Sequence, residues 1–279
     1  MRSLTILLAN PRGFCAGVAR AIQTVEQSLA HFGPPIFVRH QIVHNPHVVA
    51  GLAAKGAIFV DELDAVPDDA PVVFSAHGAP KSVRAAAKRR RLPYIDATCP
   101  LVTKVHREVE HHVSAGRGVI LIGHEGHPEV VGTMGQAAPG VVILAQSAED
   151  AAALPIDETA SYGLVTQTTL SGKDAGEITD ILRRRIPQLH EPSRADICYA
   201  TTNRQVAIRA IAPRCDATIV IGGSKSSNSR RLVEIAGDAG CPKAVLIENV
   251  ADLHPLFFKG VSTVGVTSGA LPRRYWCTN

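Results

Sequence analysis

The 279 residues are 46% hydrophobic and 19% charged, an ordinary balance for a globular protein with a sizeable core and room for two or three small domains. A formal charge of +4 at pH 7 is too small to point to nucleic acid. No apolar stretch approaches the roughly 20 residues of a membrane helix, and the opening MRSLTILLANPRG lacks the apolar core and small-residue cleavage site of a signal peptide, so a cytoplasmic, non-membrane protein is expected.

In chain order, short β-rich runs alternate with helical patterns. LTILLA, AIFV, PVVFSA, GVILIG, VVILA, YGLVTQ, ATIVIGG, AVLIE and TVGVTS are continuous apolar runs and predict buried strands. Between the first two, residues 17–32 set Val18, Ile22, Val25 and Leu29 on one face before Gly33 and two prolines, which predicts a helix. Residues 101–115 repeat the design with Val102, Val105, Val109 and Val113, ending at Gly116. The basic runs Lys88 to Arg91 and Arg183 to Arg185 fall at the ends of helical patterns, where cations complement the dipole. Such alternation implies parallel sheets covered by helices.

Six cysteines are present, with no CxxC pair, so neither a zinc ribbon nor a thioredoxin-type site is indicated. Cys15 in LLANPRGFCAGVARAI, Cys99 in PYIDATCPLVTKV and Cys198 in RADICYATTNRQVAI share one setting, a strand-to-helix turn where backbone N–H groups and the helix dipole favour a thiolate. They stand 84 and 99 residues apart, about one small α/β domain each, which predicts three similar lobes with a cysteine at the carboxyl edge of each sheet, where open α/β sheets bind ligands. Three converging thiolates suit an iron–sulfur cluster, and a [4Fe–4S] cluster held by three would leave one iron open to substrate. Cys215, Cys241 and Cys277 read as small buried hydrophobes.

His44, His77 and His127 each follow a strand-like run beside Gly, Asn or Pro, which places them on the ligand-facing edge, where imidazole groups suit phosphate. His31, His111, His112 and His190 read as helix or linker residues. HEGH at 124–127 lacks the spacing of a zinc-protease HExxH. GGSKSSNSRRL follows a strand and opens a helix; its glycines, lysine and hydroxyls fit an anion nest or, equally, a Ser/Asn helix cap. VTQTTLS places Thr166, Gln167, Thr168 and Thr169 at a strand end, where hydroxyls face the same edge, and Glu129 supplies a carboxylate suited to proton transfer.

Taken together and in order, GFCAGV, the HN followed by VV, SAHG, DATCPLVTKVH, GHEGHPEVVGTMGQ, TQTT, DICYATTNRQ and GSKSSNS resemble the 4-hydroxy-3-methylbut-2-enyl diphosphate reductase (LytB) family from about residue 5 to residue 270. The resemblance implies a trefoil of three small α/β lobes with mainly parallel sheets around a central [4Fe–4S] cluster held by Cys15, Cys99 and Cys198. It divides the chain into residues 1–16 with 197–279, carrying Cys15, Cys198 and the anion nest; 17–98, carrying His44 and His77; and 99–196, carrying Cys99, His127, Glu129 and Thr168. It implies that His44, His77, His127, Ser226, Ser227 and Asn228 bind diphosphate, that Glu129 delivers protons with His127 next in line, and that Thr168 orders substrate and relays protons. The reaction implied is reductive dehydroxylation of (E)-4-hydroxy-3-methylbut-2-enyl diphosphate to isopentenyl and dimethylallyl diphosphate, with electrons from a flavodoxin- or ferredoxin-type donor.

The sequence leaves the family pattern at TSGALPRRYWCTN, where Leu271 stands in place of a phosphate-touching serine. This keeps open a family member that binds cluster and phosphate ligand with little turnover. A zinc hydrolase using the same cysteines is the weakest alternative, because it leaves the anion nest and the TQTT turn unexplained.

Overall fold

The computed structural model describes residues 4–269. Strand β1 (Thr5–Leu8) precedes helix α1 (Ala16–Phe32), which ends at Gly33, a residue with left-handed backbone (φ 76°) that only glycine adopts without strain. There follow β2 (Ile36–Arg39), α2 (Pro46–Ala53), β3 (Ala57–Val60), β4 (Val72–Phe74), α3 (Lys81–Arg89) and β5 (Tyr94–Asp96). Next come α4 (Pro100–Ser114), β6 (Gly118–Ile122), α5 (Pro128–Met134), β7 (Val142–Ala145), α6 (Ala148–Ala153), β8 (Tyr162–Thr166), α7 (Gly172–Arg185) and β9 (Leu189–His190). The last stretch holds α8 (Tyr199–Ile211), β10 (Ala217–Ile221), α9 (Ser227–Asp238), β11 (Ala244–Ile247) and β12 (Thr263–Ser268).

The strands form three four-stranded sheets, β1-β12-β10-β11, β3-β2-β4-β5 and β7-β6-β8-β9, and every pairing is parallel. These are the three parallel-sheet α/β lobes expected from the alternating pattern. One strand order recurs in all of them. In the second and third sheets the earliest strand lies between the next two, and the fourth joins the outer side of the third. In the first sheet β10, β11 and β12 take those three places, and β1, from the start of the chain, takes the fourth. A cysteine follows the fourth strand each time and immediately precedes a helix: Cys15 before α1, Cys99 before α4 and Cys198 before α8.

By internal contacts the chain falls into two units. One comprises residues up to 19, 44–49 and from 199 onward, and contains the first sheet; the other comprises residues 20–43 and 50–198, and contains the second and third sheets.

The continuous apolar runs have a direct packing cause. On β6 and β8, Ile120, Ile122 and Leu164 share a core with Ile178 and Leu182 of α7, while Val119, Leu121 and Val165 face Val105 and Val109 of α4 on the opposite side. With helices on both faces, the central positions of these strands are apolar, and the polar Thr166 comes only at the end of β8. Burial of each such side chain contributes about 1.5–3 kcal/mol. At β8 the fit to α4 is close: a Cβ on Gly163 would overlap the ring of His112.

The two predicted helices are present as α1 and α4, and Val102, Val105 and Val109 are buried. Arg183, Arg184 and Arg185 occupy the last turn of α7, and Lys88 and Arg89 the last turn of α3. Two departures stand out. LTILLA forms a strand at the edge of its sheet, with Ile6 57% and Leu8 53% exposed, so its apolar run does not signify burial. Strands β2, β5 and β9 were not expected: β2 ends on a buried charge, Arg39, paired with Glu62, and the other two are only three and two residues long.

Candidate active site

In the unit holding the second and third sheets, His127 is the N-cap of α5 and Pro128 its first residue, which fits a residue with no N–H to satisfy. The Glu129 N–H donates to His127 Nδ1 at 3.2 Å. That nitrogen is therefore an acceptor, and Nε2 is the protonated one in the neutral ring. The His127 ring meets His77 edge to face at 5.7 Å between centroids. His77 follows β4, with its Nδ1 3.3 Å from Ser75 Oγ.

Glu129 is buried among these elements, and both of its carboxyl oxygens bond to one residue. Thr168 N donates to Oε1 at 2.7 Å, and Thr168 Oγ1 lies 3.0 Å from Oε2. Burial pushes the Glu129 carboxyl up to about 7; the two Thr168 hydrogen bonds oppose the rise, and the charge of Asp196 adds to it. At neutral pH the group thus holds a proton in a large share of molecules, as a general acid requires.

The loop beyond β8 is tied to the segment bearing Cys198, whose N–H donates to Thr168 O at 3.0 Å. Residues 191–198 connect β9 to α8, a longer strand-to-helix connection than the three residues that end on Cys99. Within that loop Asp196 is buried; it accepts from Thr166 N at 2.8 Å and from Lys104 Nζ at 2.6 Å. Burial raises the Asp196 carboxyl to about 6 against the pull of Lys104 and the Thr166 amide, which leaves it ionised at neutral pH. Lys104 loses water on burial, yet its hydrogen bonds to Asp196 and Glu108 hold its pKa above the ordinary value. Cys99 is the N-cap of α4, on the same helix as Lys104, and its N–H donates to Ala76 O at 3.0 Å.

In the other unit Cys15 leads into α1, with its Sγ accepting from Val18 N at 3.4 Å. The preceding turn is pinned to the first sheet by Gly13 N to Ser268 O at 3.2 Å. Asn45, next to His44, caps α2 by accepting from Val48 N at 3.1 Å. The 44–49 segment lies against the glycine turn after β10, where a Cβ on Gly223 would come within 2.7 Å of His44 O. Ser226 caps α9, accepting from Ser229 N at 3.3 Å, so the helix-cap reading of this serine is correct whatever else it does. Ser227 and Asn228 open the helix and are buried. Arg204 of α8 donates to Asn228 Oδ1 at 3.1 Å and to Gly13 O at 3.2 Å. The Asn228 Nδ2 donor is buried with no hydrogen-bond partner, and a ligand acceptor there would satisfy it.

Cys15, Cys99 and Cys198 are outside any disulfide and of intermediate exposure, whereas Cys215 and Cys241 are buried. Cys215 Sγ bonds to Ile211 O, and Cys241 Sγ bonds to Lys243 O, both at 3.2 Å, within the apolar core of α8, α9 and β10. Among the described residues, no three His, Cys, Asp or Glu side chains gather around a single-ion site. Cys277 and Leu271 lie outside the described residues.

A sequence model of the family described as LytB protein matches residues 6–273. The chain belongs to the LytB family. Among its relatives in this family, the 4-hydroxy-3-methylbut-2-enyl diphosphate reductase of Phenylobacterium zucineum is 57% identical over 267 residues, covering 96% of this chain and 85% of that protein. The protein of the same name from Gluconobacter oxydans is 56% identical over 273 residues, covering 96% and 81%. A solved structure, the E-1-hydroxy-2-methyl-but-2-enyl-4-diphosphate reductase from Plasmodium falciparum, superposes with a TM-score of 0.93 at 42% identity, covering 98% of this chain and 85% of that one. A second, an (E)-4-hydroxy-3-methyl-but-2-enyl diphosphate reductase described as the terminal enzyme of the non-mevalonate pathway, gives 0.68 at 32%, covering 99% and 96%.

Some groups in these LytB-type loops escaped sequence reasoning. Lys104 and Asp196 lie inside the motifs DATCPLVTKVH and RADICYATTNRQ, and Arg204 inside TTNRQ. Each is one charge among several polar residues, with no local signal that it has a tertiary partner. No helix of the described residues is long and apolar enough to cross a membrane.

Proposed function

We propose that this chain reduces (E)-4-hydroxy-3-methylbut-2-enyl diphosphate to isopentenyl and dimethylallyl diphosphate. The observation that carries the reading is the buried Glu129, protonatable near neutral pH and bonded through both oxygens to Thr168. Family membership and the reductase names of close relatives agree with it.

The donor set fits an iron–sulfur cofactor. Cys15, Cys99 and Cys198 are half-buried, outside any disulfide and each immediately before a helix, whereas the two other described cysteines are buried in apolar core. These three would hold a [4Fe–4S] cluster, which when bound would relay the two electrons of an external donor one at a time and offer an open iron to the substrate oxygen. The chain's own groups do the rest. Glu129 holds the proton that the departing hydroxyl needs, and Thr168 Oγ1, 3.0 Å from it, passes that proton to substrate. Burial excludes water from the carboxyl and keeps the proton in place at neutral pH.

For the diphosphate we assign His77 and His127 in one unit, and His44, Ser226, Ser227 and Asn228 in the other. With His127 Nδ1 accepting from the Glu129 amide, Nε2 carries the N–H of the neutral ring. Asn228 presents a buried amide donor, and its orientation is set by Arg204. Holding a remote phosphate group fixes the reacting carbon and so contributes to rate as well as affinity. The reading further assigns a cytoplasmic location and a small flavodoxin- or ferredoxin-type protein as electron donor.

The test is anaerobic reconstitution with iron and sulfide, chemical reduction, and quantification of both five-carbon diphosphates. Turnover supports the reading. A fully loaded, reduced protein that binds substrate without forming either product would favour a binding role, and stoichiometric zinc without iron would exclude the cluster.

A further inference from the structure

Lys104 lies on the helix headed by Cys99, and Asp196 lies two residues before Cys198, yet their side chains meet at 2.6 Å. All three hydrogens of the Lys104 ammonium have acceptors: Asp196 Oδ1, Arg194 O at 2.7 Å and Glu108 Oε1 at 2.9 Å. Two of these acceptors belong to the loop that carries Cys198. The other oxygen of Asp196 accepts from Thr166 N at 2.8 Å, at the end of β8. Two residues further along, Thr168 receives the Cys198 N–H on its carbonyl and donates its own N–H and hydroxyl to Glu129. One buried ion pair therefore connects the Cys99 helix, the Cys198 loop and the strand end that presents Thr168. The Asp196 side chain has no solvent exposure and that of Lys104 is 27% exposed. An exposed surface pair would have too little energy to hold a loop, but a shielded pair with every hydrogen bond made resists opening.

We propose that Lys104 and Asp196 are positioning residues that preset the Cys198 thiol, relative to the Cys99 helix, for cluster capture. The inference rests on the assignment of Cys99 and Cys198 as cluster ligands. Neither residue touches the cluster in this account. They act by fixing the loop on which a ligand sits, so that cluster binding does not also have to order residues 191–198. Lysine suits the place because three acceptors converge on one point from separate directions, an arrangement that the planar fork of arginine does not match.

The test uses Lys104→Met, Asp196→Asn and the double variant, with two readouts other than turnover. In reconstituted holoprotein, cluster loss to a chelator is followed by the visible absorbance of the iron–sulfur chromophore. Each single variant should lose its cluster at least about tenfold faster than wild type, and the double variant no faster than the worse single, because both remove the same brace. In metal-free protein, alkylation of each cysteine is followed by peptide mass spectrometry. Labelling of Cys198 should rise several-fold relative to Cys15 and Cys215.

A general loosening of the fold would accelerate all cysteines together, and that result would overturn the proposal. So would cluster lifetimes within about twofold of wild type with an unchanged Cys198-to-Cys15 labelling ratio. Where a single variant strands the buried Asp196 charge and fails to fold, the double variant, which leaves only the partly exposed Glu108 carboxylate without its lysine, carries the test. If wild-type protein takes up no iron or sulfide, the cluster assignment fails, and the labelling ratio in metal-free protein still decides whether the pair positions Cys198.

Discussion

Replacing Glu129 with Gln separates the chemical role of the carboxyl from its structural role. The amide oxygen still accepts from Thr168 N, and the amide nitrogen can donate to Thr168 Oγ1, so both hydrogen bonds of the wild type have counterparts. What disappears is the proton. In the unfolded chain the carboxyl releases it near 4.5, and in the fold only near 7. Between those values the folded protein binds more protons than the unfolded one, so this group's contribution to stability falls as pH rises from about 4.5 to about 7. The gap between the two values corresponds to about 3 kcal/mol. The variant has no such titration. Its stability relative to wild type should therefore increase by about 2–3 kcal/mol between pH 5 and pH 8, measured by urea unfolding of the metal-free protein. Turnover should fall by at least about a hundredfold, because an amide delivers no proton. Wild-type kcat should decline as pH rises through about 7. A pH-independent stability difference would refute the buried-acid argument even if activity were lost, and wild-type turnover in the variant would move the acid role to His127.

The remaining expectations concern cysteines, ligand contacts and packing. Cys15→Ser, Cys99→Ser and Cys198→Ser should each abolish stoichiometric iron and sulfide, while Cys215→Ser and Cys241→Ser retain both; metal analysis after anaerobic reconstitution decides. Asn228→Ala removes a buried donor and one acceptor of Arg204, so inorganic diphosphate should bind at least about tenfold more weakly by calorimetry, with cluster content unchanged. Gly163→Ala forces a methyl group into the His112 ring and should cost about 1–3 kcal/mol in urea unfolding, a loss that substituting His112 with a smaller residue should partly reverse.

The fold class was legible because strands such as β6 and β8 have apolar residues on both faces, a pattern that buried parallel strands produce and few other elements do. Helices α1 and α4 were legible for the same kind of reason, through 3.6-residue periodicity with glycine stops. Short strands escaped because period cannot be read over the two residues of β9 or the three of β5. The exposure of Ile6 and Leu8 escaped because an edge strand and a central one share the same apolar composition. At the site, Glu129 and Thr168 could be singled out by residue type and context, but their pairing across 39 positions is a tertiary fact. Asp196 and Lys104 lie 92 residues apart in sequence. Nothing in their local sequence distinguishes a buried charge with a partner from an ordinary solvated one.

The origin of β1 has a kinetic consequence. In the second and third sheets each strand finds its neighbour among segments made shortly before or after it, but β1 pairs with β12, Thr5 opposite Thr263. Loop-closure entropy makes that pairing the slowest of the set, and during synthesis it must wait for almost the entire described chain to emerge. The turn bearing Cys15 depends on it through the Gly13 to Ser268 hydrogen bond. On the ligand set proposed above, Cys15 is expected to be ordered after Cys99 and Cys198, so that the three thiols are complete only once the first sheet has closed. Pulse-labelled hydrogen exchange during refolding should show protection in β6 and β8 before β1 and β12, and simultaneous protection of all four would rule this order out.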